Sequence, residues 1–327
     1  MNQNIHQVLL SSIKDQNSIY FDFYVFFLKN IDDDRSSFIF SVFDNIAPPD
    51  LLIVKKSIGD EFILIDKFLL LEYLKKKQTN YALCMVLNNV LDIDIFKFLL
   101  MKYYNIICSS CAYKIRFLKF VYDICGDEEC LIKDFLPILN FRPQGKVFEY
   151  IKTSFVLKDE MLQYFHKKDL SLNQIYIFSC YDANLRDTVF ALSKNLNLSI
   201  SLTEEFCEHL NDICIAQNKN IDEVLEALKI KEIMLSNIPI SLKITFVRDM
   251  IFEARYPTIT AINKKIISLI KRLNLPKNYD LKWDKMLEES ALNLCCKIYD
   301  IQDIQELKDL LTDDNKIKII EEILKEL

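Results

Sequence analysis

The sequence predicts an α+β protein that is mainly helical. Three observations predict it. Hydrophobic residues are 51% of the 327 and charged residues 27%, which suits a buried core and excludes intrinsic disorder. Gly is 3 and Pro is 7, too few for a turn-dense all-β or collagen-like chain. Helix-start signals crowd the chain after Ser110, while the first hundred residues mix strand and helix. The length suits two or three domains, and the pattern changes place them at 1–105, 106–215 and 216–327.

In the first segment, Ile19–Phe27 is dense in aromatic and β-branched residues and reads as a strand. Ser36–Phe43 is ambiguous, and Pro48-Pro49 breaks any helix there. Leu51–Val54 and Phe62–Ile65 read as a hairpin turning at Gly59. Phe68–Lys77 reads as a helix whose three closing lysines suit the negative end of its dipole. Tyr81–Leu87 is strand-like and Ile93–Tyr104 helical. The order is β, α, β-hairpin, α, β, α, a small α/β domain.

Further on, Ser171 with Gln174, Ser201 with Glu204 and Asn220 with Glu223 have capping-box spacing. Ile221, Val224, Leu225 and Leu228 mark one helical face. Pro239, Pro257 and Pro276 cut the next stretch into helix lengths. Tyr279–Trp283 and Ala291–Tyr299 read as strands, followed by helices from Ile301 and Asn315. No solenoid-period repeat or low-complexity tract is visible.

The charge balance is 41 − 47 = −6, a poor overall match for nucleic acid, so any such contact needs a local basic surface. The ten Cys have irregular spacings in a large chain and read as reduced thiols. The amino terminus has no basic n-region or long apolar h-region. No apolar run approaches a bilayer span. A cytoplasmic protein without a membrane partner is expected.

Cys108-Ser-Ser-Cys111 with Cys125 and Cys130 has a loose zinc-like spacing, but its apolar surroundings favour packed thiols. No metal or other cofactor is expected. His6, His166 and His209 are far apart, and neither a Walker loop nor a dinucleotide fingerprint is present. Asp32-Asp33-Asp34 reads as a solvated acidic loop, and Arg255-Tyr256-Pro257 as a helix terminus with Pro257 opening the next helix.

Three stretches taken in order resemble the ParB family of partitioning proteins. Asp44-Asn45-Ile46-Ala47-Pro48-Pro49 precedes the hairpin, where the family has Gly-Leu-x-x-Pro-Pro. Asp134–Leu157 looks like the family's helix-turn-helix (HTH), and Asp169–Gln174 with Leu198–Ser201 resemble later helix starts. Ala254–Pro257 and Leu275-Pro276 look like the tail of divergent members. The resemblance implies a ParB/sulfiredoxin-like amino-terminal domain, a central HTH domain, and a divergent helical segment with a small α/β end. It is compatible with a homodimer.

The resemblance also implies a nucleotide site built on Gly-x-Arg-Arg. Those positions here read Lys67, Leu69 and Leu70. Guanidinium forks that neutralise phosphate have become isobutyl groups. The site is therefore expected to be degenerate, with Phe68–Leu74 an ordinary packed helix. CTP hydrolase or nuclease activity and a small-molecule ligand are not expected.

The HTH is placed at Leu131–Asn140, a turn through Phe141–Gly145, and Lys146–Leu157. Its second helix would lie in the major groove, with Arg142, Gln144, Lys146, Glu149 and Lys152 as groove-facing candidates and the first three of these nearest the bases. Between Lys133 and Asp169 there are seven basic and five acidic residues, a balance of +2. Lys102, Lys114, Arg116 and Lys119 carry no acidic residue between them and suggest a phosphate-gripping surface. The expected function is a non-enzymatic DNA-binding protein, nucleoid-associated. The alternative is an interaction scaffold that has lost both DNA and nucleotide.

Overall fold

The structure, a computed structural model, describes residues 4–35, 40, 51–57, 59–142 and 145–327. It is mainly helical with a small mixed sheet, an α+β protein. The chain divides into two compact units, Met1–Asp182 and Ala183–Leu327.

The first unit holds five strands: β1 (Asn4–Leu9), β2 (Ile13–Lys14), β3 (Leu52–Lys56), β4 (Phe62–Asp66) and β5 (Tyr81–Leu87). Their order is β1-β5-β3-β4-β2. β3 and β4 pair antiparallel, as the hairpin reading requires, and Gly59 takes φ +74° in the turn. β5 adds parallel to β3 and antiparallel to β1. β1 and β2 lie at opposite edges, yet only a 3-10 turn, Leu10–Ser12, joins them. Four strand spacings span about 19 Å in a flat sheet, whereas such a turn rises roughly 2 Å per residue. The sheet must therefore curl to bring its edges together.

Ile19–Phe27 is a helix, α1, and not the expected strand. Its composition favours a strand, but its spacing does not. Tyr20, Phe23, Tyr24 and Phe27 follow the 3.6-residue period and are all buried. Ser18 caps the helix by accepting from the Phe21 amide at 3.1 Å. The helices that follow are α2 (Phe68–Lys76), α3 (Asp92–Lys102), α4 (Tyr104–Ile107) and α5 (Cys111–Cys125). The motif at Asp44–Pro49 and all but Phe40 of Ser36–Phe43 lie outside the described residues.

The expected boundary after residue 105 falls inside this unit. Phe23 of α1 meets Phe96 of α3 at 6.0 Å and Phe117 and Phe120 of α5 at 6.3 and 6.0 Å between ring centroids. These rings form one aromatic core, so the sheet portion and the next helices have no separate interiors.

Beyond α5 come α6 (Glu128–Cys130), which runs into a π turn over Leu131–Phe135, then α7 (Gly145–Ser154), α8 (Asp159–Lys167) and α9 (Leu172–Cys180). The expected helix over Leu131–Asn140 stops at Phe135, two residues before Pro137, which has no amide hydrogen to continue it. α7 ends at Ser154 and not at Leu157; the Ser154 hydroxyl donates to the Tyr150 carbonyl at 2.7 Å. The Ser171–Gln174 capping box forms as the spacing predicts.

The second unit contains α10 (Ala183–Leu196), α11 (Ile200–Gln217), α12 (Ile221–Ala227), α13 (Ile230–Leu235), α14 (Ile240–Arg255), α15 (Pro257–Leu273), β6 (Tyr279–Trp283), β7 (Leu292–Cys296), α16 (Ile301–Thr312) and α17 (Asp314–Glu326). The Asn220–Glu223 box forms. The Ser201–Glu204 box does not, because α11 starts two residues earlier and Ser199 caps it by accepting from the Leu202 amide. β6 and β7 pair antiparallel, and Ile266, Leu269, Leu273, Leu281 and Ile323 form a core beneath them. Arg255 closes α14, paired with Glu208 at 3.0 Å and Asp212 at 2.5 Å. No helix among the described residues is long and apolar enough to cross a membrane.

Candidate nucleic-acid interface

Four cations expected at the surface, Arg116, Lys119, Lys152 and Lys102, already have carboxylate partners, as does Lys97. Arg116 lies on the buried face of α5, only 9% exposed. Its Nη2 donates to Asp159 Oδ2 at 2.9 Å, and its guanidinium lies 3.8 Å over the Phe120 ring. That stacked, paired position removes it from the expected phosphate-gripping surface, which is a correction. Lys119 pairs with Asp123 at 3.4 Å, Lys152 with Glu128, and Lys97 with Asp134 at 2.8 Å. Lys102 pairs with Asp66. The sequence reading missed these because each carboxylate but Asp123 is more than twenty residues away.

Arg142, Lys146 and Lys114 differ. Arg142 and Lys146 are exposed, and neither has an ion-pair partner among the described residues. Lys114 of α5 holds its ammonium 5.1 Å from the centroid of the Phe141 ring, next to Arg142. Tyr104 pins the segment: its hydroxyl donates to the Ile138 carbonyl at 3.2 Å and accepts from Asn140 Nδ2 at 3.0 Å. No acidic residue occurs from Phe135 to Phe148. Arg142 and Lys146 thus stand in a stretch whose own charges are all positive, and Lys114 reaches the Phe141 ring within it. Gln144 lies outside the described residues.

α7 is seated by Phe148, Ile151 and Ser154, which are buried, and by Tyr150, which stacks on Tyr176 of α9 at 3.9 Å. The 3.6-residue period then turns Lys146, Glu149 and Lys152 outward. That outward row is mixed in sign, and the cationic weight lies at its amino-terminal end.

The residues at the expected nucleotide position are packed into the protein. Leu69, Leu70 and Leu71 are buried in α2. Lys67 takes φ +72°, a left-handed conformation at the residue where the resemblance puts glycine. The carboxylate of Asp66, only 3% exposed, fills the helix start. Its Oδ1 accepts from the Lys67 amide at 2.7 Å and the Tyr103 hydroxyl at 2.6 Å, and its Oδ2 pairs with Lys102. Burial, opposed by a hydrogen bond from Tyr24, raises the Asp32 carboxyl, and the Asp66 charge adds to the rise. A carboxylate already occupies the positive end of the helix, so an incoming phosphate meets like charge.

At the other end of α3 from Lys102, Asp92 accepts from Lys55 at 2.5 Å and from Tyr20. Burial alone would raise the Asp92 carboxyl, but these bonds outweigh it and hold it below its usual value. Among the described residues no three His, Cys, Asp or Glu side chains gather so as to hold a metal.

No protein-family model matches the chain, and a search of curated proteins finds no match. Among solved structures the chain is similar to the C-terminally truncated chromosome-partitioning protein ParB from Caulobacter crescentus complexed with CTP-γ-S. The identity is 7% and the TM-score 0.25, over 57% of this chain and 98% of that one. A likeness this loose transfers no residue correspondence.

Proposed function

We propose that the chain is a non-enzymatic, ParB-like DNA-binding protein that grips the duplex with the turn before α7 and the start of that helix. The observation that carries this reading is the exposed pair Arg142 and Lys146 in a stretch, Phe135 to Phe148, without an acidic residue, with Lys114 held against Phe141 beside it. Lys114 and Arg142 would hold phosphates, and Lys146, with Gln144, would approach base edges. Lys152 becomes a secondary contact, since Glu128 already engages it. The closed carboxylate network at Asp66 supports a chain that does without a nucleotide.

Fluorescence anisotropy with pooled duplex DNA tests the reading. Affinity should fall steeply between about 50 and about 200 mM salt, and Lys114→Ala with Arg142→Ala should lower the slope of log K against log salt by about one per residue. Absence of binding at low salt discards the proposal. Turnover of CTP by the purified chain discards its non-enzymatic part.

A scaffold that lost DNA binding is the second reading. The observation favouring it is the internal pairing of Arg116, Lys119 and Lys152, which leaves a short cationic surface on an acidic chain.

A further inference from the structure

Within the second unit, α14 and α15 meet at Tyr256-Pro257 and wall an open pocket of about 460 Å³, to which the end of β6 and the turn after it add a third side. Its apolar lining is Phe252 from α14, Ile267 from α15, and Trp283 and Met286 from the third side. The two aromatic rings are held in place. The Trp283 indole donates from Nε1 to Asn263 Oδ1 at 2.7 Å, and Asn263 Nδ2 donates to the Lys285 carbonyl at 2.8 Å. Phe252 rests against the Tyr256 ring at 4.9 Å between centroids. Asp284 fixes the turn by accepting from the amides of Met286 at 3.0 Å and Glu288 at 2.8 Å. A preformed cavity of this size, with aromatic walls and few polar groups, has the build of a small-molecule site.

Two observations narrow the ligand. The first is Thr260 of α15, which lines the pocket. Its hydroxyl has almost no solvent contact and no hydrogen-bond partner among the described residues. A helical threonine commonly donates this hydroxyl to the carbonyl four residues back, and here it does not. A buried polar group left in this way is costly, and a polar atom on a ligand would satisfy it. The second is the charge of the lining. Arg248 is held by Glu205 at 2.7 and 2.9 Å, and Lys264 by Glu253 at 3.0 Å. Asp249 and Lys285 remain, one of each sign, and neither has an ion-pair partner among the described residues. Cations and carboxylates therefore balance. An ionised ligand would shed its water without meeting a surplus of opposite charge.

We propose that this pocket binds a small, uncharged aromatic compound with one polar edge. The ring of the ligand packs against Trp283 and Phe252, and its polar atom bonds the Thr260 hydroxyl. A flat ring gains from face or edge contact with fixed aromatic side chains beyond what its area alone provides, so the site favours an aromatic ring over a saturated one. The proposal departs from the sequence expectation, which sees no small-molecule ligand: the lining residues are spread over residues 248 to 286 and carry no motif. The pocket shares no residue with the cationic turn before α7, and the inference does not rest on the DNA reading.

Trp283 is the chain's single tryptophan, so its emission and its indole N–H resonance both report on this pocket. Benzyl alcohol is the probe. Titrated into the full chain, it should move both signals along one saturable curve with a dissociation constant of about 1 mM, the range for so small a ligand. Cyclohexylmethanol should bind about threefold more weakly or worse, and benzoate and benzylammonium should both bind more weakly than the alcohol. Thr260→Val removes the hydroxyl at nearly equal volume. It should leave the urea midpoint unchanged or higher, since the hydroxyl has no partner to lose, yet weaken benzyl alcohol about threefold or more. The ligand series on the unaltered chain decides the question even where the variant fails to fold. No saturable response of the Trp283 signals, equal affinity for cyclohexylmethanol, a charged analogue that binds as tightly as the alcohol, or a folded Thr260→Val chain that binds benzyl alcohol as the parent does overturns the proposal.

Discussion

The start of α2 and the turn before α7 are both places where the sequence suggests an anion might bind, and they are built oppositely. At α2 the polar groups are consumed internally. Asp66 accepts from the Lys67 amide, the Tyr103 hydroxyl and the Lys102 ammonium, all from within the same unit. At α7 the cations remain open: Arg142 and Lys146 face solvent, and Lys114 rests on the Phe141 ring. A charged side chain is available to a ligand only to the extent that the fold has not already paired it. Counting lysines and arginines along the chain overestimates a binding surface for that reason.

The largest expected effect comes from breaking the closed site. Asp66→Ala should leave Lys102 and Tyr103 without their acceptor and destabilise the protein by about 3 kcal/mol, since removing one member of a buried pair strands the other. A lowered urea midpoint with DNA affinity unchanged would sharpen the contrast; an unchanged midpoint would break it.

A smaller effect separates two arginines that look alike in sequence. Arg116→Ala should cost about 2 kcal/mol through loss of a charged hydrogen bond and of packing on Phe120. Arg142→Ala should leave the urea midpoint within about 0.5 kcal/mol of the parent, as expected for an exposed side chain without partners. Equal destabilisation by the two would show that Arg142 is structurally engaged and the open site is not open.

The smallest effect is a pH dependence within the same unit. Burial holds the His166 imidazole below its usual pKa, with the Asp169 charge opposing. The ring stacks on Tyr113 at 3.8 Å and lies 2.9 Å from the Ser110 hydroxyl. The unfolded chain takes up this proton near pH 6.5 while the folded chain resists it, so stability is complete above that value and falls as pH drops through it. The urea midpoint should decline between about pH 7.5 and about pH 5.5, and His166→Phe, which keeps the stack, should flatten that decline. A variant as steep as the parent would remove His166 from the account.

Much of the secondary structure was legible in the chain. Tyr81–Leu87, the hairpin at Gly59, the helix from Phe68, the boxes at Ser171 and Asn220 and both tail strands follow from local spacing and turn chemistry. β1 was missed, because a six-residue strand with a half-polar pattern gives a weak signal at a terminus. α1 was misread because its aromatic composition outweighed its period. The packed character of Leu69 and Leu70 was also legible, since two isobutyl groups inside an apolar run have no other use.

The sequence by itself determined where the chain becomes helix or strand, that the Gly-x-Arg-Arg pattern is absent, and that one stretch around residue 142 carries positive charge alone. The tertiary structure alone decided which cations stay available and which strands lie at the edges of the sheet. Both depend on groups distant along the chain, such as Asp159 beside Arg116 and β5 beside β1. Local propensity acts over a turn or two of backbone, whereas charge pairing and sheet order are settled only when remote segments meet.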